Sequence, residues 1–184
     1  MTLTETPICN FGEKAKNFNL LSTEKKKVSL NTVKGENGTI IMFICNHCPY
    51  VKAVIKDIVE DVRYLENLGI KSVAIMSNDI KNYPEDSFEN MISFSKLHNF
   101  SFPYLIDDTQ EVAKEYGAVC TPDFFGYNKN IELQYRGRFR ELKNLKQVKE
   151  RDSDLRVAME QIATSGNGPK KQIPSMGCNI KWFK

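Results

Sequence analysis

Charge bias, long apolar runs and repetition are all missing from this chain of 184 residues. Lys and Arg number 26 against 23 Asp and Glu, a formal charge of +3, which is too small an excess to hold nucleic acid. The lysines are scattered, and their one run, Lys25-Lys26-Lys27, suits a solvated turn better than a phosphate-binding patch. No stretch approaches the roughly 20 apolar residues of a membrane-crossing helix. The N-terminus, Met1-Thr2-Leu3-Thr4-Glu5-Thr6-Pro7, has neither the basic n-region nor the apolar h-region of an export signal. The five cysteines are odd in number and lack the pattern of a small secreted disulfide scaffold, so a reducing compartment with transient disulfides is expected. These absences predict a cytoplasmic protein with no membrane and no nucleic-acid partner. With 41% hydrophobic and 27% charged residues, the chain has the means to build one domain over residues 1–184. An N-terminal arm (1–16) and a C-terminal tail (166–184) flank its body.

What is present concentrates between Ile40 and Lys56. Thr39 to Ile44 is β-branched and continuously apolar over the length of a strand, the pattern of a strand buried on both faces. Pro49 then opens a helix, because its missing N–H would have no intrahelical partner at the first position, and Cys48 falls at the N-cap. Val51, Val54, Ile55, Ile58, Val62 and Leu65 recur at helical steps down to Gly69. A thiol at that N-terminus meets unpaired N–H groups and the positive end of the helix dipole, and His47 beside it adds a proton donor or a charge. Cys48 is therefore expected to be the most acidic of the thiols.

Around this junction the chain alternates strands and helices. Phe18 to Leu21 and Lys27 to Leu30 read as a hairpin, Ile70 to Ser77 as a strand, and Pro84 to about His98 as one helix. Phe102 to Ile106 is a strand, and Asp107 or Asp108 caps a short helix to Tyr116 that Gly117 closes. Phe124 to Tyr127 and Ile131 to Tyr135 form a second hairpin, and a last helix runs from about Ser153 to Thr164. Residues 140–151, rich in Lys and Glu, have no clear period. The succession gives an α/β sandwich.

Each chemistry-bearing residue also has a plainer reading. Cys45 and Cys48 lie three apart across a strand-to-helix turn, a separation that lets two sulfurs approach bonding distance; they serve redox exchange, or structure. His47 tunes the thiol, or is an exposed loop residue. Soft thiolates with an imidazole suit copper(I) or zinc, so a metal site from Cys45, His47, Cys48 and Cys178 is an alternative, weakened by the lack of a second Cys/His pair. Cys178 in the tail is a further thiol for exchange, or part of an anchored end with Trp182 filling a groove. Cys120 suits a small buried apolar position, and Cys9 is incidental.

The strand, the Cys-x-x-Cys step and the Pro-started helix resemble the thioredoxin superfamily, and more closely its redoxin branch, which includes the thiol-specific antioxidant (AhpC/TSA) proteins and thioredoxin-like oxidoreductases. The resemblance implies a thioredoxin fold with an N-terminal β-hairpin and a redoxin-type helix-strand insertion from Pro84 to Ile106. In the family's register, Phe43 to Cys48 has the spacing between the strand Phe and the first motif cysteine, which makes Cys48 the nucleophile and puts Val51 where a second cysteine usually stands. Cys45 takes the place of the Thr or Ser that orients peroxide in peroxiredoxins. Thr121-Pro122 resembles the family's cis-Pro loop, in which the residue before Pro pairs with substrate. The string Asn46-His47-Cys48-Pro49-Tyr50-Val51 and the tail Pro174 to Phe183 are similar to a group of uncharacterised bacterial redoxins. The resemblance thus implies a thiol-disulfide oxidoreductase: Cys48 attacks a protein or small-molecule disulfide, Cys45 or Cys178 resolves the intermediate, and a cellular thiol reductant recycles the pair. No organic cofactor and no metal are implied. A peroxidase acting on peroxides is the second reading.

Overall fold

A computed structural model describes residues 2–184. In chain order the elements are β1 (Leu3–Glu5), β2 (Asn19–Ser22), β3 (Lys27–Ser29), α1 (Leu30–Val33), β4 (Gly38–Phe43), α2 (Pro49–Glu66), β5 (Ile70–Met76), α3 (Phe88–Leu97), β6 (Tyr104–Ile106), α4 (Glu111–Tyr116), β7 (Cys120–Thr121), β8 (Asp123–Asn128), β9 (Leu133–Arg136), β10 (Leu142–Lys143), β11 (Lys146–Gln147), α5 (Asp154–Ser165) and β12 (Met176–Asn179). The main sheet has the order β3-β2-β6-β5-β4-β8-β9. β4, β5 and β6 run parallel, and both edges are antiparallel additions. This is the thioredoxin-type α/β sandwich, with the β2–β3 hairpin at one edge and α3–β6 inserted beside β5.

Successive residues of β4 point to opposite faces, and the core divides accordingly. Ile40, Met42 and Ile44 pack with α2, α3 and α5. Ile41 and Phe43 pack on the other face with α1 and α4. The predicted stripe of α2, from Val51 to Leu65, is buried against the first of these layers. Ile58 has no exposed surface, and truncating it to Ala would cost about 2 to 5 kcal/mol through the cavity left behind. This packing fixes where α2 begins, and so where Cys48 sits.

Two expectations, the helix start at Pro84 and the groove for Trp182, are corrected, and two segments gain detail. Pro84 does not start the long helix: Pro84–Asp86 forms a separate 3-10 turn, and α3 begins after Ser87, whose hydroxyl accepts from the Asn90 amide. The chain breaks there because the Asp86 side chain turns inward to zero exposure and accepts from the Asn46 amide. Residues 140–151 contain the β10–β11 hairpin, whose turn residues Asn144 and Leu145 have φ of +50° and +60°, the signs a type I′ turn requires; Gln147 ties it to α2 through the Ala53 carbonyl. The arm 1–16 is built into the body, with Gly12 and Ala15 amides bonded to the Leu133 and Ile131 carbonyls. Trp182 fills no groove: it is 37% exposed, with the Lys114 ammonium over its ring. Asp107 does cap α4, accepting from the Val112 and Ala113 amides, and Gly117 closes that helix at φ +62°.

The tail makes a second sheet. β12 lies between β1 and β7, antiparallel to both, with Leu3 and Thr121 each opposite Cys178. Among the described residues no helix is long and apolar enough to cross a membrane.

Candidate active site

Three sulfurs meet where β4 ends, α2 begins and β12 crosses β7. Cys48 is the N-cap of α2 with extended backbone (φ −65°, ψ 123°), and Pro49 follows in the first turn. Its Sγ lies 3.2 Å from the Cys178 Sγ and 3.2 Å from the Thr121 carbonyl oxygen. The Cys45 Sγ lies 3.4 Å from the Thr121 hydroxyl. The Thr121-Pro122 bond is cis. Strand register explains the meeting: Phe43 pairs with Asp123, so the loop after β4 faces Thr121, and Thr121 in turn pairs with Cys178. All three sulfurs are enclosed, with exposures of 0% for Cys48, 1% for Cys45 and 2% for Cys178.

Their acidities diverge sharply. Cys48 is lowered from 9.0 to about 5, first by the hydrogen bond from the Cys45 thiol. Burial opposes the shift, and the Val51 amide, the Cys178 thiol and the Thr121 hydroxyl reinforce it. Cys45 is driven well above the ordinary thiol value by that same bond and by burial. Cys178 is pushed up to about 12 by burial and by its neighbour Cys48. One negative charge thus rests on Cys48 at neutral pH, held by two S–H donors and by the amides of a helix start. A buried group without those donors would move the other way, as Cys120 does when burial raises it. The Cys120 thiol donates to the Pro122 carbonyl, and Cys9 is half-buried and raised to about 11 by burial.

His47, with a ring nitrogen within 4.8 Å of the Cys45 sulfur, bonds a carboxylate that the sequence reading missed. Its Nδ1 lies 2.7 Å from Asp86 Oδ2, and its ring stacks on Tyr83. Asp86 Oδ1 also accepts from the Asn46 and His47 amides, and Oδ2 from the Asn78 side chain. Tyr104 donates to the Asn46 side-chain oxygen behind them. The bond to Asp86 raises the His47 pKa despite burial. Burial pushes the Asp86 carboxyl upward, but the bonds from His47 and Asn78 outweigh it and leave the pKa lowered. Both shifts favour the charged form of each partner. The signal in the sequence was an acid two residues after Pro84, inside a segment read as the start of a helix.

The metal alternative can be tested on this geometry. Among the described residues, ligand atoms of Cys45, His47 and Asp86 come within 4.8 Å of one another. Both Asp86 oxygens, however, are already engaged by N–H donors, so a cation would have to break the bonds that shape the loop. The carboxylate of this trio, which is not the four-residue set expected from the sequence, is thus already committed to the loop.

The sequence pattern of the AhpC/TSA family matches residues 11–140, a span that holds Cys45, Cys48, Thr121 and Pro122. This chain belongs to the AhpC/TSA family. Two solved structures are similar over nearly their whole length. An uncharacterized conserved protein from Geobacillus kaustophilus has 39% identity and a TM-score of 0.94, covering 100% of this chain and 97% of that one. A hypothetical protein from Sinorhizobium meliloti 1021 has 33% identity and a TM-score of 0.90, with 98% of each chain covered. A secreted Mycobacterium tuberculosis disulfide oxidoreductase homologous to E. coli DsbE shares the fold at 15% identity and a TM-score of 0.54, over 64% of this chain and 80% of that one. No curated protein matches the sequence. In this AhpC/TSA chain α5, β12 and Cys178 lie beyond the matched stretch.

Proposed function

We propose that this protein is a thiol-disulfide oxidoreductase in which Cys48 is the nucleophile and Cys178 the resolving thiol. The observation that carries the reading is the 3.2 Å approach of the Cys48 and Cys178 sulfurs, one acidic and one kept protonated. In the first step the Cys48 thiolate attacks one sulfur of a substrate disulfide, forming a mixed disulfide and expelling the other substrate sulfur as a thiolate, which takes up a proton. The negative charge on Cys48 is then gone, and with it one cause of the raised Cys178 pKa; Lys181 already opposes the rest. Cys178 ionises, attacks the Cys48 sulfur and releases the second substrate thiol. The two cysteines have given two electrons to the substrate and are left as a disulfide, which a dithiol reductant reopens.

Cys45 has a supporting part in this scheme: its S–H holds the Cys48 charge. The alternative of Cys45 as resolving thiol is less favoured because its own proton is the donor that makes Cys48 acidic. Disulfide mapping tests the assignment. After one turnover with a disulfide substrate, peptide mass spectrometry should find the Cys48–Cys178 link, and Cys178→Ser should accumulate the mixed disulfide at Cys48. A Cys45–Cys48 link as the main product, or full turnover by Cys178→Ser, would overturn it.

A further inference from the structure

A nucleophile with no exposed surface is sealed from any protein disulfide, and what seals it is the chain itself. β12 lies along β7 with Cys178 opposite Thr121 and Asn179 opposite Cys120, and the Cys178 sulfur occupies the approach to Cys48. Deeper anchors hold both ends of this segment. On one side Gln172 bonds the Arg136 amide and the Gln134 carbonyl; on the other, Lys181 bonds Asn78, Asp79 and Gln110. Between the anchors the segment is held mainly through backbone: two pairs with β7, three with β1, the Arg138 and Thr6 amides on the Ile173 and Ser175 carbonyls and the Ile180 amide on the Val119 carbonyl, with the Ser175 hydroxyl donating to the Pro122 carbonyl. Gly177 sets the closeness of the pairing, since a Cβ there would stand 2.1 Å from the Thr121 carbonyl oxygen.

Resting on the oxidoreductase reading, we infer that β12 is an internal stand-in for the substrate: an extended segment of a protein disulfide binds by lifting β12 and pairing with Thr121 on β7, its cysteine taking the place of Cys178 and a glycine the place of Gly177. Among the described residues β7 has no sheet partner besides β12, so the vacated edge offers the backbone groups of Cys120 and Thr121 to an incoming strand. The residue before the substrate cysteine meets the same Thr121 carbonyl that Gly177 meets, which selects glycine there. Because β12 is tethered at both ends, it returns as an intramolecular competitor. Its return brings Cys178 back to the Cys48 sulfur, so that binding of β12 and release of the reduced substrate are one event. The Cys48 thiolate breaks the substrate S–S bond and the Cys178 thiolate breaks the mixed one, as written above.

The test uses the reduced full-length protein with two extended peptides, each carrying one cysteine as a mixed disulfide with a chromophoric thiol, one reading Gly-Cys and the other Val-Cys. The parent small chromophoric disulfide is the control. The Gly-Cys peptide should react at least about tenfold faster than the Val-Cys peptide, the scale of a steric misfit in a tight site. Alkylation of Cys48 should be slow for so acidic a thiol. It should quicken about tenfold or more in Gly177→Val, where the added side chain pries β12 from β7, and by less in Ser175→Ala, which removes one bond and keeps the fold. Equal rates for the two peptides, or unchanged Cys48 alkylation in both variants, would overturn the inference while leaving the oxidoreductase reading standing. Absence of exchange at Cys48 with every disulfide, in Gly177→Val as well, would overturn both.

Discussion

Removing the Cys45 thiol should slow Cys48 at low pH and quicken it at high pH, so that the two rate profiles cross. Cys45 is the largest cause lowering Cys48 from 9.0 to about 5. A hydrogen bond to a charged group is worth about 1.5 to 3 kcal/mol, or roughly 1 to 2 pKa units, so Cys45→Ala should titrate Cys48 near roughly 6 to 7. At pH 5 the thiolate fraction then falls from about one half to between roughly one tenth and one hundredth. The remaining thiolate is more basic and intrinsically more reactive, by about 3- to 8-fold at a Brønsted slope of about 0.45. The two effects combine to make the variant about two- to sixfold slower at pH 5 and about three- to eightfold faster at pH 9. Alkylation followed across pH by peptide mass spectrometry, with thiolate absorbance as a second measure of the pKa, reads both limbs. A variant whose Cys48 pKa stays within about half a unit of the parent's, or whose rates do not cross, would refute Cys45 as the donor.

Asp86→Asn should let the His47 pKa fall toward its ordinary 6.5, a change readable by NMR titration. It should also cost about 1 to 3 kcal/mol in urea unfolding as the charged acceptor of two amides is lost. The raised His47 pKa contributes stability that is present below pH 6.5 and lost as pH rises through the folded value, while the lowered Asp86 pKa contributes stability that is present above pH 3.8 and lost as pH falls through its folded value; Asp86→Asn should show neither dependence. Asp123, fully buried beside Arg136, is raised from 3.8 to about 6 by burial. Its contribution to stability is therefore complete below pH 3.8 and lost as pH rises to about 6, and Asp123→Asn should flatten that part of the stability-pH curve. Hydrogen peroxide should oxidise Cys48 slowly beside small disulfides in stopped-flow experiments, because Cys45 stands where a peroxide-orienting hydroxyl would be; rapid oxidation at micromolar peroxide, lost in Cys48→Ser, would reverse that ranking.

Local sequence carried the centre of the molecule well. The apolar run at β4, the Pro49 start and the stripe of α2 all act through periods of 2 and 3.6, and they placed Cys48 at its helix N-cap. What escaped depends on contacts distant in sequence. Asp86 reads locally as an acid near a helix start, yet it turns inward because two amides of the Asn46-His47 loop need an acceptor. The short strands β1, β7 and β12 carry no periodicity of their own and exist only through one another. Cys178 was visible as a thiol in the tail, but its place opposite Thr121 depends on that mutual pairing, as does the role of Gly177.

The pairing of Leu3 with Cys178 joins segments from opposite ends of the sequence, and such a closure carries a high entropic cost and comes late as a chain folds. The α2 helix and its acidic thiol rest on nearer contacts and form earlier. A renaturing chain therefore passes through a period in which Cys48 is reactive and uncovered, with Cys45 as its nearest sulfur. Refolding in air should lock that local pair before β12 arrives, whereas refolding under dithiothreitol, with oxidation delayed until the fold is complete, should deliver the sulfurs in their native arrangement.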